Sequence, residues 1–536
     1  AAARSPDKAG TTMMRAYVVA FLPVLTLLGC RQVDLSGSSF VTMADNTFSP
    51  RQIRVPVGGH VHFRNWGGII HNARAVDSSW STDAVSGRAE VKVGEWVDLK
   101  FTKPGVYHYF CSFHGTPDGQ NGMVGTVVVG DVAYSPTEKT GALEPVETAT
   151  GVTRHVPQEY PSIQTAVDAA APGDMVLVSE GIYKEEVIVT TPSITLRGVD
   201  RNAVILDGEF ERANGVAVYA DGVALENMTA QNYKLNGFFI TGVTGYRGSY
   251  ITAINNGDYG IYAFDSYNGL LEHSLGSGSP DAGFYVGGCY PCKTILDQVI
   301  GEGNLGGGYS GTNAGGELYI INSIWRKNYG GGIAPNTFDV EPHAPQRENV
   351  IVGNLVHDNG GNGITIDGGS KNLVIRNYVA NSRRNGIMVQ AAKDRNYYPA
   401  TDNTIKDNVV IGSGRADLAM SGVGNIGNCF TGNTHRITIP WGLEILQGCR
   451  GARMPVVGDL NSYLGSTMGR KSLFRPRDRF GDEYKTMPHP EPQPTMPGGA
   501  SAPVTPAVKP FEKFPIDVDK IQMPKPATNV VAARRN

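Results

Sequence analysis

Tyr109-Phe110-Cys111-Ser112-Phe113-His114, followed by Gly122-Met123-Val124-Gly125, sets the reading of the N-terminal part of this 536-residue chain. Cys111 stands three residues before His114, and Met123 nine after it. Gly115 to Gly122 between them is rich in Gly and polar residues. Apolar alternation resumes on both sides, in Val106 to Phe110 and Met123 to Val129, so the loop joins two strands. A soft thiolate, an imidazole and a thioether on one loop suit copper. A second imidazole would complete a His2Cys site with a weak axial Met. His71, in Trp66-Gly-Gly-Ile-Ile-His71-Asn72, is the candidate.

This combination resembles the plastocyanin/azurin-like cupredoxins over roughly residues 35–132. Those proteins carry a His-Asn after a strand and loop, then an aromatic pair before C-x-x-H, then G-M-x-G-x-V. Met43-Ala-Asp-Asn-Thr-Phe-Ser-Pro50 and Ile53-x-Val55-x-x-Gly58 belong to the same resemblance. It implies a β-sandwich and one type 1 copper ion held by His71, Cys111, His114 and Met123. The His-to-Met loop is longer than in plastocyanin, which bears on the axial bond and the potential.

Working outward to the N-terminus, Met13-Met14-Arg15 precedes an apolar run from Ala16 to Leu28. That run has the length of a signal-peptide h-region and is short for a membrane span. Leu27-Leu28-Gly29-Cys30 resembles a bacterial lipobox, which implies lipidation of Cys30; the alternative is an ordinary signal peptide with a stray Cys. Residues 1–12 read as lying upstream of the true start, and residues 1–30 as the leader. The expected location is the bacterial cell envelope, periplasmic or on the outer face of the cytoplasmic membrane, lipid-anchored. Export permits disulfides. Cys289 with Cys292, and Cys429 with Cys449, are the possible pairs. Cys289-Tyr-Pro-Cys292 has thioredoxin-like spacing without a surrounding βαβ pattern, so a redox or metal role stays open beside a local bridge. A net charge of −3 leaves no basic footprint for nucleic acid.

Past the copper stretch, residues 31–132 form the first domain. In it, His60 and His62 share one strand face, as an extra metal site or a solvated surface. Residues 133–155 are polar, with Pro and Gly, and read as a linker. Ser162 can cap a short helix burying Ile163, Ala166, Val167 and Ala170, stopped by Pro172-Gly173. A Gly followed by an apolar residue then recurs at Gly237, Gly260, Gly283, Gly308, Gly332, Gly363 and Gly386, at steps of 23, 23, 25, 24, 31 and 23. Asn pairs five apart keep phase with it, at Asn349/Asn354, Asn372/Asn377 and Asn403/Asn408; Asn322 reads as the start of the series. Such a period means coils that bury an apolar face only by stacking. Glycine reads as the residue for turns with φ > 0, and the Asn side chains as ladders bonding neighbouring coils. The leucine-rich alternative lacks its L-x-x-L-x-L signature. The cap helix and repeat resemble right-handed parallel β-helices of the pectin-lyase-like kind, spanning 156–450. At the level of the repeat alone they are similar to carbohydrate-binding and sugar-hydrolase β-helices, including the periplasmic accessory protein of nitrous-oxide reductase maturation. Residues 451–536 hold a short helix and a Pro-rich extension, read as extended or disordered; the alternatives are a solvated tail, the favoured one, and a segment that lies along the β-helix or reaches a partner. The fold class is therefore all-β: a cupredoxin sandwich, then a parallel β-helix solenoid, then a tail.

Two coils are longer than the rest, from Gly332 to Gly363 and from Gly386 to Asp417, and their extra residues fall at the same place in the repeat. Equivalent insertions emerge on one face. That face offers Asp339, Glu341, His343, Arg347, Asp367, Lys393, Arg395, Tyr397 and Tyr398 for a glycan or partner; the alternative is two ordinary charged loops. The leading functional expectation is an exported copper protein for one-electron transfer with an unidentified redox partner and a β-helix scaffold. On that expectation the chain works by electron transfer and copper binding and not as a classical enzyme, with lyase or hydrolase activity left open. The competing expectations are a polysaccharide lyase or hydrolase working through the β-helix, with catalytic residues unassigned, and a copper carrier or chaperone.

Overall fold

The computed structural model describes residues 38–135, 151–468, 481–505 and 516–526, apart from positions 45, 68, 340 and 452. The leader with Cys30, and most of the linker, lie outside the described residues. No helix among the described residues is long and apolar enough to cross a membrane.

The first domain is a sandwich of two four-stranded sheets. One has the order β2 (Thr47–Ser49), β1 (Ser38–Ala44), β4 (His60–Asn65), β6 (Trp96–Lys100). The other has the order β3 (Gln52–Val55), β8 (Gly122–Val129), β7 (Gly105–Gly115), β5 (Arg74–Ala75). β4 shows how sequence alternation becomes packing. Val61 and Phe63 point into the sandwich with no exposed surface, while His60 and His62 face outward. The two outward rings share Asp98 of β6, at 2.7 Å from His60 Nδ1 and 3.1 Å from His62 Nδ1. Tyr109 packs edge-on against Phe48 and Phe63 at 4.7 and 5.3 Å between centroids, which joins the sheets.

The rest is a parallel β-solenoid of three long sheets, in which every coil-to-coil pairing follows chain order. Ser162 caps the helix Ile163–Asp168, and Ile163, Ala166 and Val167 close the first coil's core. The apolar residues after the recurring glycines form one inward stack. Phe238 pairs with Ile261, then Phe284, Tyr309, Ile333, Ile364, Ile387 and Leu418, one per coil. All are fully buried, worth roughly 1.5–3 kcal/mol each.

The glycines of that marker have a different cause from the one expected. None of them has positive φ; the corners at positive φ are held by residues such as Asn227, Tyr250, Asp265 and His273. The marker glycines permit close approach. A Cβ on Gly332 would lie 2.5 Å from Val356 Cγ1 and 2.6 Å from the Gly363 carbonyl oxygen. The Asn ladders are present. The amides of Asn354, Asn377 and Asn408 each donate to the side-chain oxygen one coil on, at 2.9–3.0 Å. The series starts at Ser323 and not at Asn322: the Ser323 amide donates to Asn354 Oδ1, whereas Asn322 sits at a corner and donates to Asp297. A further ladder through Asn304, Asn328 and Asn359 went unread.

Both cysteine pairs are bridged, Cys289 to Cys292 and Cys429 to Cys449. Most described side chains of the Pro-rich extension are exposed, and its backbone follows the solenoid, one of the placements its composition left open. Residues 484–503 lie along the solenoid because buried cations and amides collect their free carbonyls. Arg201 donates to the carbonyls of Pro494, Ile251 and His273, Arg197 to that of Pro503, and Asn255 to that of Met487. Farther on, Arg376 holds the Ile521 carbonyl at 2.8 Å. Proline leaves carbonyls without intrachain partners, and these acceptors match the guanidinium forks.

Candidate metal centre and its seat on the solenoid

β7 and β8 pair as a hairpin whose register breaks between Phe110 and Gly115. Cys111 and His114 lie inside that break, and Met123 follows at the head of β8. His71 comes from the other side. Its backbone pairs with Val91 through two hydrogen bonds of 2.7 and 3.3 Å. Asn72 ties the two sides together: its Oδ1 accepts from the Ser112 amide at 2.8 Å, and its Nδ2 donates to the Ala89 carbonyl at 2.9 Å.

Three donor atoms then converge. His71 Nδ1 and His114 Nδ1 are 3.2 Å apart, and Cys111 Sγ lies 3.4 Å from His114 Nδ1 and 3.9 Å from His71 Nδ1. All three side chains, and that of Met123, are fully buried. Among the described residues this is the group whose His, Cys, Asp or Glu atoms all lie within 4.8 Å of one another. Each S–N spacing is less than about 4.3 Å, the sum of ordinary bonds from one first-row ion to N and S, so one ion can touch all three atoms. Burial lowers the pKa of His71 to about 3 and raises that of Cys111 to about 11, the latter opposed by the Asn72 amide. Without a cation the pocket therefore holds a neutral imidazole and a thiol. A cation takes the place of the thiol proton and offsets the burial of the thiolate.

The centre is not at an open surface. The His114 ring meets Phe239 of the solenoid at 6.2 Å, and a Cβ on Gly122 would stand 2.9 Å from Tyr219 Cε1. Phe239, Tyr262 and Tyr285 are register partners on three successive coils, stacked at 5.5 and 4.5 Å. Asn46 Nδ2 donates to Tyr262 Oη at 2.6 Å, and Arg51 pairs with Asp265 at 2.5 Å. The two insertions edge this seat, and Arg395 places its guanidinium 5.3 Å from the Trp66 ring, just ahead of His71.

The residues offered for a glycan or partner face lie where the two insertions meet, and several are engaged in internal hydrogen bonds. Asp339 accepts from the amides of Arg395 and Asn396 and from Tyr398 Oη at 2.6–2.7 Å, which fastens one insertion to the other. Glu341 is buried and accepts from Tyr285 Oη at 2.6 Å; burial pushes its carboxyl up to about 8. His343 Nε2 stands 3.4 Å from Tyr267 Oη, and Arg347 lies 3.5 Å over the Tyr290 ring. Asp367 accepts from Gln390, Lys393 donates to the Arg395 carbonyl, and Tyr397 to that of Val423. Sequence reading missed Tyr219, Phe239, Tyr262 and Asn46. Phe239 and Tyr262 carry a signal, an outward aromatic repeated with Tyr285 coil after coil, which period analysis of the inward face does not examine.

Residues 37–130 match the family model of copper binding proteins, plastocyanin/azurin family. The first domain is a plastocyanin/azurin-type copper domain. Residues 343–440 of the solenoid match the model described as periplasmic copper-binding protein (NosD). No curated protein matches the chain. Among solved structures, the chain is similar to the A-module of mannuronan C-5 epimerase AlgE6 from Azotobacter vinelandii, at 15% identity over 52% of this chain and 86% of that one, TM-score 0.39. It is also similar to the Cu-containing nitrite reductase of Thermus scotoductus, at 29% identity over 19% of this chain and 23% of that one, TM-score 0.14. A purple cupredoxin from Nitrosopumilus maritimus overlaps at 26% identity over 17% of this chain and 98% of its own, TM-score 0.13.

Proposed function

We propose that this is an exported protein, lipid-anchored through Cys30, that carries one type 1 copper ion for one-electron transfer. The observation that carries the reading is the convergence of Cys111 Sγ with two imidazole Nδ1 atoms in a dry pocket. His71, Cys111 and His114 would hold the ion, with Met123 as the weak axial group. The bound ion supplies a one-electron couple. The chain's own residues hold the donors in place. Asn72 fixes the two sides of the pocket, and its amide lies 3.5 Å from Cys111 Sγ, where it withdraws charge from the sulfur. Tyr219 and Phe239 exclude water from the His114 side. The solenoid serves as the scaffold on which the copper domain sits.

The test is the visible and paramagnetic-resonance spectrum of residues 31–536 with one equivalent of Cu(II). An intense thiolate-to-copper absorption is expected, and its loss in Cys111→Ala. A pale spectrum, or one unchanged by the substitution, overturns the reading.

The match of residues 343–440 to a copper-binding family favours a second reading, a copper carrier. In that case copper passes to an acceptor protein without net change of oxidation state. A lyase or hydrolase reading is less well supported, because Asp339 and Glu341 are engaged in internal hydrogen bonds beside the seat.

A further inference from the structure

The last coil carries an apolar tip that neither the copper centre nor its seat uses. Trp441 is 87% exposed and Ile445 81%, although both lie in a tightly held segment. Leu443 between them is fully buried in the solenoid core, Cys449 is bridged to Cys429, and Glu444 accepts from Asn433 at the end of the Asn ladder. The protrusion is therefore built, and is not a frayed end. Met454 adds a further exposed apolar side chain.

Arginines dominate the exposed surface of the tip, over the buried Asp417 carboxylate, which accepts from the Arg436 and Ile437 amides. Arg436, Arg450 and Arg453 are exposed, and Glu444 is the single carboxylate between residues 433 and 454. Asn433 and His435 already occupy it. Arg436 and Arg450 have no ion pair among the described residues. A basic tip on a chain of net charge −3 is a local asymmetry.

We propose that this end of the solenoid docks on a bilayer surface containing anionic phospholipid. Trp441 and Ile445 enter the boundary between headgroups and acyl chains, and the arginines meet the phosphates. An indole suits that depth because its ring is apolar and its N–H is wet. A convex tip fits a fluid surface, whereas a protein partner would need a matching hollow. A second copy meeting the same tip would bring three arginines against three, which disfavours self-association.

The experiment is co-sedimentation of residues 31–536, which lack Cys30, with vesicles of phosphatidylcholine alone or mixed equally with phosphatidylglycerol. Binding to the mixed vesicles, weakened by salt and accompanied by a blue shift of Trp emission, is expected. Trp441→Ala should weaken it at least tenfold, and Arg450→Glu should weaken it while leaving the thermal midpoint unchanged. Both residues are exposed, so neither substitution disturbs the core. Absence of binding to mixed vesicles, or equal binding by Trp441→Ala, overturns the proposal. So does a concentration-dependent dimer that Trp441→Ala dissociates, which would make a second copy the occupant. Equal binding to both vesicle types overturns the role of the arginines.

Discussion

Glu341 allows a sharp test of how the seat is built. Its carboxyl is buried beneath the tyrosine stack, and burial pushes its pKa from 4.5 up to about 8, aided by Asp281 and opposed by the hydrogen bond from Tyr285. The stability it contributes is complete below pH 4.5 and is lost as pH rises to about 8. Over that span the ionised form costs roughly 5 kcal/mol relative to the protonated form. Glu341→Gln keeps the size and a hydrogen-bond acceptor for Tyr285 and removes the charge. The variant should match the native protein near pH 5 and be more stable at pH 8 to 9, by several degrees in thermal midpoint. The assay is the thermal midpoint of both proteins at half-unit steps from pH 4.5 to 9. The quantity read is their difference, because other groups titrate equally in both. Two parallel curves would refute the reasoning, since Glu341 would then ionise as it does in water.

Other outcomes follow from the same geometry. Asn377→Ala removes the acceptor of the Asn354 amide and the donor to the Ile351 carbonyl, leaving both buried and unpaired. A loss of about 3 kcal/mol or more is expected by chemical denaturation, and a loss under about 1 kcal/mol would mean the ladder is ornamental. Tyr262→Ala opens the stack under His114, and should speed removal of copper by a Cu(I) chelator on the order of tenfold. An unchanged extraction rate would show that the seat does not guard the centre. Arg201→Met removes the donors to Ile251, His273 and Pro494. Residues 487–503 should then become protease-sensitive at native temperature, which the intact protein resists.

What was legible in the sequence was local or periodic. Cys111, His114 and Met123 fall within fifteen residues on two adjoining strands, so their meeting needs only a hairpin. The inward stack from Phe238 to Leu418 was legible because each coil must repeat it. The marker glycines were read correctly as a repeat and wrongly as turns, since crowding by Val356 and the Gly363 carbonyl leaves no mark on the glycine itself. Ser323 in place of Asn322 escaped for a similar reason: a hydroxyl can do an amide's work at the end of a ladder. The seat was illegible because Asn46 and Tyr262 are 216 positions apart. The tail looked extended or disordered by composition, and composition does not show that Arg197 and Arg201 wait beneath it for carbonyls.

The aromatic side chains that meet the copper domain come from successive coils: Tyr219, Phe239 and Tyr262. Neighbouring coils are one strand spacing apart, about 4.8 Å. The solenoid thus acts as a ruler with evenly spaced marks, and these rings fasten the domain to three of them. Deleting or duplicating a single coil beyond the seat would change the distance from the copper centre to the Trp441 end by one mark, and leave both ends chemically as they were. Reach is a separately adjustable property of this chain, set in whole steps by the number of coils.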